Sequence, residues 1–211
     1  MALDPDQIEK EIQIDKYQAL WDTYKNLFFI LIAIITATFI AFQFYESNDK
    51  KSGELASQIY QNIITEKIDN IDIIKERVVE LKNNHSTTPY ASRGAIYLSR
   101  ALVNNKMNDE AIEELLWASK NAKEKSIESL ALYTLSNIYL ITESIDDALI
   151  TANKISTPGY VGLKNDLLGD IYVASNDKEK ARLSYKAALN FYLNKSELAK
   201  VIQTKIDAIG Q

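Results

Sequence analysis

Residues Asp166 to Leu189 read DLLGDIYVASNDKEKARLSYKAAL, and their spacing decides the fold. Leu168, Gly169 and Tyr172 are followed by Ala181, Tyr185 and Ala188. The same offsets occur at Leu135, Ser136, Tyr139, Ala148, Ala152 and Ile155, and again at Leu98, Ser99, Leu102, Ala111, Leu115 and Ala118. Tyr139 to Tyr172 and Ala148 to Ala181 are both 33 residues, whereas Leu102 to Tyr139 and Ala111 to Ala148 are both 37, so one copy carries a small insertion. Self-similarity at such a period marks stacked supersecondary units. The small residue after each Leu lets one helix approach its mate, and the Ala that opens the second helix does the same from the other side. The large residue three positions after the small one fills the space between neighbouring units.

These positions match the tetratricopeptide pattern, two antiparallel helices in about 34 residues. The copy at 166–189 is nearly consensus, and the one beginning at Leu98 is degenerate, with Leu102 where Tyr is usual. Tyr139, Tyr172 and Tyr185 are expected in the core. Upstream, Leu55, Ile59, Ile63 and Ile64 and then Ile74, Val78 and Leu81 predict a divergent helix pair over 53–83. The segment NNHSTTPY, Asn83 to Tyr90, breaks the helix and starts the next near Pro89. A last helix from about Ser196 to Ile209, with Leu198, Ile202, Lys205 and Ile206 on one side, caps the stack. The expected fold is all-α: an N-terminal membrane-crossing helix, then a tetratricopeptide-like α-solenoid of about four helix pairs with a C-terminal capping helix.

The crossing segment is Leu27 to Phe44, LFFILIAIITATFIAFQF, 18 residues without a charge, extending to residue 45 at the Tyr. At 1.5 Å per residue it makes a helix of about 27 Å, close to the hydrocarbon thickness of a bilayer. Apolar residues occupy every face, whereas a soluble core helix needs only one stripe. Thr36 and Thr38 can bond back to the preceding turn. A cleaved signal peptide fits poorly, because 26 residues with more acid than base precede the run and no small-x-small site follows. Residues 1–26 form a tail in which Ile8, Ile12, Tyr17, Leu20, Trp21 and Tyr24 fit either an amphipathic helix or a disordered, soluble arm. Residues 46–52 read as a polar connector, and 53–211 as the repeat domain.

The chain has 24 Lys plus Arg against 29 Asp plus Glu, and up to residue 45 three lysines face six acids. Neither part is basic enough to attract nucleic acid by charge. The absence of cysteine excludes disulfides, thiolate metal sites and a cysteine nucleophile. His85, the one histidine, has no companions for zinc and reads as an exposed turn residue. Asp146 with Asp147, and Glu113 with Glu114, point about 100° apart on a helix and decorate a solvated face. No phosphate loop and no nucleophile–base set can be assembled. The expectation is a non-enzyme with no cofactor, no metal and no catalytic residue.

Binding is therefore expected in the groove lined by the first helix of each unit. By register its candidates are Arg93, Arg100 and Asn104, then Tyr133 and Asn137, then Asp166 and Asp170, a face basic at one end and acidic at the other. Trp117, on a second helix, suits packing and an interface equally.

Taken with the single amino-terminal span, ALYTLSNIYL (Ala131 to Leu140) and LKNDLLGDIYVASNDKEKARLSYKAAL (Leu163 to Leu189) resemble the YfgM family, the ancillary subunit of the bacterial SecYEG translocon. The resemblance covers nearly the whole chain from residue 20. It implies an inner-membrane protein crossing the lipid bilayer once through residues 27–45, amino terminus cytoplasmic and repeat domain periplasmic. It also implies as partners the SecYEG translocon and a PpiD-like periplasmic chaperone, with translocating polypeptides as further ligands. It brings no catalytic motif. Basic residues flank the span almost evenly, so they barely orient it. The residues alone leave open a second reading, a membrane-anchored regulatory adaptor that binds a signalling or response protein in the cytoplasm.

Overall fold

The computed structural model describes residues 5–192 and 196–210, with side chains from residue 13 onward except Ser196. Among the described residues the chain is helical with no strand: α1 (Pro5–Thr65), α2 (Ile71–Asn84), α3 (Pro89–Asn104), α4 (Asn108–Asn121), α5 (Lys125–Ile141), α6 (Ile145–Asn153), α7 (Val161–Ala174), α8 (Lys178–Tyr192) and α9 (Ser196–Ile209). A 3-10 turn, Pro158–Tyr160, precedes α7. The chain divides into two compact units, Met1–Lys51 and Ser52–Gln211.

In the first unit, α1 is the one helix among the described residues long and apolar enough to cross a membrane. From Leu27 to Tyr45 its large apolar side chains are all exposed, from 43% at Ile32 to 76% at Phe44. A side chain of this kind left in water forgoes roughly 1.5–3 kcal/mol, so the segment calls for an apolar surrounding that the described residues do not supply. Thr36 and Thr38 donate their hydroxyls to the carbonyls of Ile32 and Ile34, both at 2.8 Å, and so carry no unsatisfied donor into lipid. Trp21, Phe28 and Phe29 form an aromatic cluster with centroids 5.8 to 6.3 Å apart at one end of the run. Ile8 and Ile12 lie within the helix, but their side chains fall outside the described residues.

Residues 46–52, expected as a connector, are helical. Neither glycine nor proline occurs between Pro5 and Gly53, and Glu46 pairs with Lys50 one turn on at 2.7 Å, so nothing local ends the helix there.

In the second unit the repeat positions do what their spacing predicts. Of the eighteen recurrent positions, sixteen are buried. The exceptions are Tyr139 and Tyr172, which are half-buried; the Lys180 ammonium lies over the Tyr172 ring, 5.5 Å away. Tyr185 is 3% exposed, as a core residue should be. A Cβ placed on Gly169 would lie 2.3 Å from the Tyr185 ring, so glycine is what allows α7 and α8 to close on each other. In the preceding pair, Ser136 takes the glycine's place and donates its hydroxyl to the Ala148 carbonyl across the interface at 2.8 Å.

The pairs α3–α4, α5–α6 and α7–α8 each turn through one residue in left-handed conformation: Lys106 (φ 61°), Glu143 (φ 60°) and Asn176 (φ 63°). They are separated by the same 37 and 33 residues as the core positions. Each turn is closed by a six-to-one bond, Met107 N–H to Leu102 C=O, Ser144 N–H to Tyr139 C=O and Asp177 N–H to Tyr172 C=O, the Schellman geometry. The insertion lies between Ala118 and Leu135, where α4 runs on to Asn121 and α5 begins at Lys125. By contrast α6 stops at Asn153, and Ile155 still fills the slot that a third helical turn supplies elsewhere, at 3% exposure. Lys164 holds the shortened end by donating to the carbonyls of Asn153 and Ile155.

Ala56 and Ile63 of α1 join Ile74, Val78 and Leu81 of α2 in the core that continues into α3, α4 and α5. The predicted pair at 53–83 therefore packs as the first unit of the stack. Here the histidine reading is corrected: His85 is only 9% exposed, and its Nδ1 lies 2.8 Å from the Ser52 hydroxyl. The turn folds back on α1, a contact that no local pattern announces. At the other end Ile202 and Ile209 of α9 bury against Ala181, Tyr185, Ala188 and Tyr192 of α8.

Candidate functional site

The first helices adjoin one another in order, α3 beside α5 and α5 beside α7. The seven residues expected on this face fall into two clusters.

Arg93 and Arg100 come together at a pocket of about 280 Å³, lined also by Tyr60, Ile96, Tyr97, Ile127 and Leu130. Seven residues separate the two arginines on α3, roughly 10 Å along the axis, and Tyr97 stands between them. Nη2 of Arg93 donates to both carboxylate oxygens of Glu124, at 2.9 and 3.1 Å, and the guanidinium lies 6.0 Å from the Tyr90 ring. Its Nε–H is buried without a partner among the described residues. Arg100 is exposed and makes no ion pair among the described residues. Asn104 is exposed one turn further on.

Tyr133, Asn137, Asp166 and Asp170 belong to the far end. Asn137 is turned inward along its own helix, donating to the Tyr133 carbonyl at 2.8 Å. Asp166 and Asp170 are both claimed by Lys205 of α9, at 2.8 and 2.9 Å, and the Tyr185 hydroxyl donates to Asp170. Burial pushes the Asp166 carboxyl up, against the pull of Lys205. For Lys205 burial disfavours the charge, but its bonds to Asp166 and Asp170 outweigh this and hold the ammonium above the usual lysine range. Burial, and then the Asp170 carboxylate, push the Tyr185 phenol far up.

The expected run from basic to acidic is thus compensated from within: Glu124 answers Arg93 and Lys205 answers the aspartates. Arg100 is the cation of this set that keeps no internal partner among the described residues. Sequence reasoning missed Tyr60, Tyr97, Ile127 and Leu130. Tyr97 was within reach, four residues after Arg93 and three before Arg100 on one helix face. Lys205 carried a signal too, a lysine set in an otherwise apolar stripe.

Opposite this face, the second helices are tied across units by Lys75 to Glu110 at 2.6 Å and by Lys82 to Glu114. Lys82 also sits 4.8 Å over the Trp117 ring, so Trp117 is used in packing. Among the described residues no three His, Cys, Asp or Glu side chains converge as a metal site.

A family model, the tetratricopeptide repeat-like domain, matches residues 18–211. The chain belongs to the tetratricopeptide repeat-like domain family. Curated relatives named ancillary SecYEG translocon subunit match almost end to end. The Neisseria gonorrhoeae protein is 22% identical, covering 96% of this chain and 98% of its own. Those of Buchnera aphidicola subsp. Schizaphis graminum and Escherichia coli K12 are 25% and 23% identical, covering 89% and 81% of this chain and 93% and 82% of theirs. The resemblance carried by Ala131–Leu140 and Leu163–Leu189 is borne out by these relatives. Among solved structures, a single-substitution variant with nearly identical TPR-like repeats from Podosopora anserina superposes with a TM-score of 0.56 at 16% identity, covering 77% of this chain and 85% of that one. At that identity the likeness is one of fold, and it is the tetratricopeptide repeat-like fold derived above from Asp166–Leu189.

Proposed function

We propose that this protein is a membrane-anchored, non-enzymatic adaptor of the Sec translocon. Its repeat domain faces the periplasm and links translocated proteins to periplasmic chaperones of the PpiD type. The observation that carries the reading is the extent of the match: relatives named ancillary SecYEG translocon subunit align over the apolar segment and the repeats together. The partner-binding face is that of Arg93, Arg100, Asn104, Tyr133, Asn137, Asp166 and Asp170, with Arg100 and its pocket as the contact end.

The physical logic is local concentration. A single span keeps the repeats within tens of ångströms of the exit site, where a tethered module sees its partner at roughly millimolar effective concentration and a weak contact suffices. The first test is a periplasm-active reporter fused after Gln211; activity confined to a cytoplasmic reporter overturns the orientation and favours the signalling adaptor. The second is site-specific crosslinking in intact membranes from Arg100 and Asn104, with Leu116 of α4 as the reference position. Crosslinks to translocon, chaperone or translocating chain from the first two positions are expected, and their absence overturns the assignment of the face.

A further inference from the structure

We infer that the pocket between α1, α3 and α5 takes a partner segment that presents a carboxylate beside a bulky apolar side chain. This rests on the adaptor reading and names the chemistry of its ligand.

Three observations converge on this occupant. The first is uncompensated positive charge at the rim: Arg100 is exposed with no ion pair among the described residues, whereas Arg93 is already held by Glu124. Among the described residues no acidic side chain lines the pocket. The second is an orphaned donor. Arg93 keeps a buried Nε–H that nothing among the described residues satisfies, although its Nη2 is doubly bonded. Buried donors are nearly always paired, so a ligand carboxylate that draws the Arg93 guanidinium outward would complete this one. The third is the floor, which is apolar and aromatic: Ile96 is 4% exposed, and Tyr60, Tyr97, Ile127 and Leu130 are half-buried around it.

A volume of about 280 Å³ lies at the small end of ligand pockets, room for one or two side chains of a longer segment. The apolar side chain enters between Tyr60 and Tyr97, and its acidic neighbour meets Arg100. Arginine suits this role because its planar fork donates two parallel N–H bonds to a carboxylate. A basic segment is disfavoured, since it would bring like charge to Arg100 and no acceptor to Arg93.

The test uses the full-length protein in detergent micelles and three fluorescein-labelled peptides, Gly-Ser frames carrying Glu-Leu-Phe, Gln-Leu-Phe or Lys-Leu-Phe, titrated by fluorescence anisotropy. The acidic peptide should bind at least about tenfold more tightly than the lysine peptide, with the glutamine peptide between them, and the preference should shrink as salt rises. Arg100→Glu should abolish or reverse the preference and Arg100→Lys should keep part of it. Lys186→Glu, on exposed α8, should leave it unchanged. Arg100 is exposed, so circular dichroism should show these variants equally folded.

Equal binding of the three peptides, no binding of any, or a preference that survives Arg100→Glu overturns the inference. Tyr97→Phe and Tyr97→Ala add a second check: the first should retain affinity and the second lose it, and a loss with neither variant counts against the apolar slot. If membrane crosslinks to the translocon persist while the peptides are not discriminated, this inference fails and the adaptor reading stands. If the preference holds but crosslinks are absent, the pocket chemistry stands and the translocon assignment falls.

Discussion

Gly169 and Gly53 are the same residue with opposite expected answers to one substitution. Gly169→Ala drives a methyl into the Tyr185 ring, and overpacking of that kind costs about 1–3 kcal/mol, read as a lower Tm by circular dichroism in detergent. Gly53 sits inside α1 with nothing within 4 Å of a Cβ, so Gly53→Ala should raise Tm through better helix propensity, by up to about 1 kcal/mol. The left-handed turn residues offer a second check. Lys106→Gly and Glu143→Gly relieve a backbone conformation that costs a side-chain-bearing residue about 1 kcal/mol, and each should stabilise by some tenths of that or more. These positions were half legible: the 37 and 33 spacings announce where the units turn, but no glycine marks the turn itself. His85 was not legible, because its partner Ser52 lies 33 residues away on a helix that local periodicity does not connect to it.

Among the elements, α9 shows how a helix can be predicted correctly and its role still missed. Its bounds follow from sequence, as do Ile202 and Ile206 of its stripe, but Leu198 is 47% exposed and Ile209 is buried instead; its reach to Asp166 and Asp170 spans 39 and 35 residues and appears only once the helices pack. The bonding makes the α7–α8–α9 end sensitive to alkali. An unfolded Tyr185 ionises near its ordinary pKa of 10.0, whereas the folded phenol keeps its proton, so its stabilisation is complete below pH 10 and fades as pH rises above it. Lys205 adds a loss of the same sign, complete below its ordinary 10.5 and fading as pH climbs through its raised folded value. Melting should therefore fall steeply above about pH 10, and Tyr185→Phe should flatten the slope while lowering stability at pH 7 by about 1–2 kcal/mol. Asp166 runs opposite to most paired carboxylates. Its raised folded value places its stabilisation below the ordinary 3.8 and removes it as pH rises, so Asp166→Asn should cost little at pH 7 while Asp170→Asn, which takes the charge and one acceptor oxygen from the carboxylate that Tyr185 and Lys205 bond, costs more.

At the scale of the molecule, the span was the plainest feature of the sequence, since Leu27–Phe44 carries no charge and has apolar residues on every face. Ile34→Lys with Ile35→Lys should weaken insertion, each central charge costing about 2.5–3.5 kcal/mol on insertion scales, and shift protein into the carbonate-soluble fraction. The stack was equally legible, but its binding chemistry was not, because charge counted along the chain ignores which ions the fold has already married. One consequence reaches past a single copy. The surface of α8 that α9 covers, Ala181, Tyr185, Ala188 and Tyr192, is the surface on which one more repeat would dock. By occupying it, α9 leaves no free socket there for a further copy, which should bar head-to-tail growth into fibres. A chain ending before Ser196 should lose that bar and elongate with concentration, visible as a rising sedimentation coefficient.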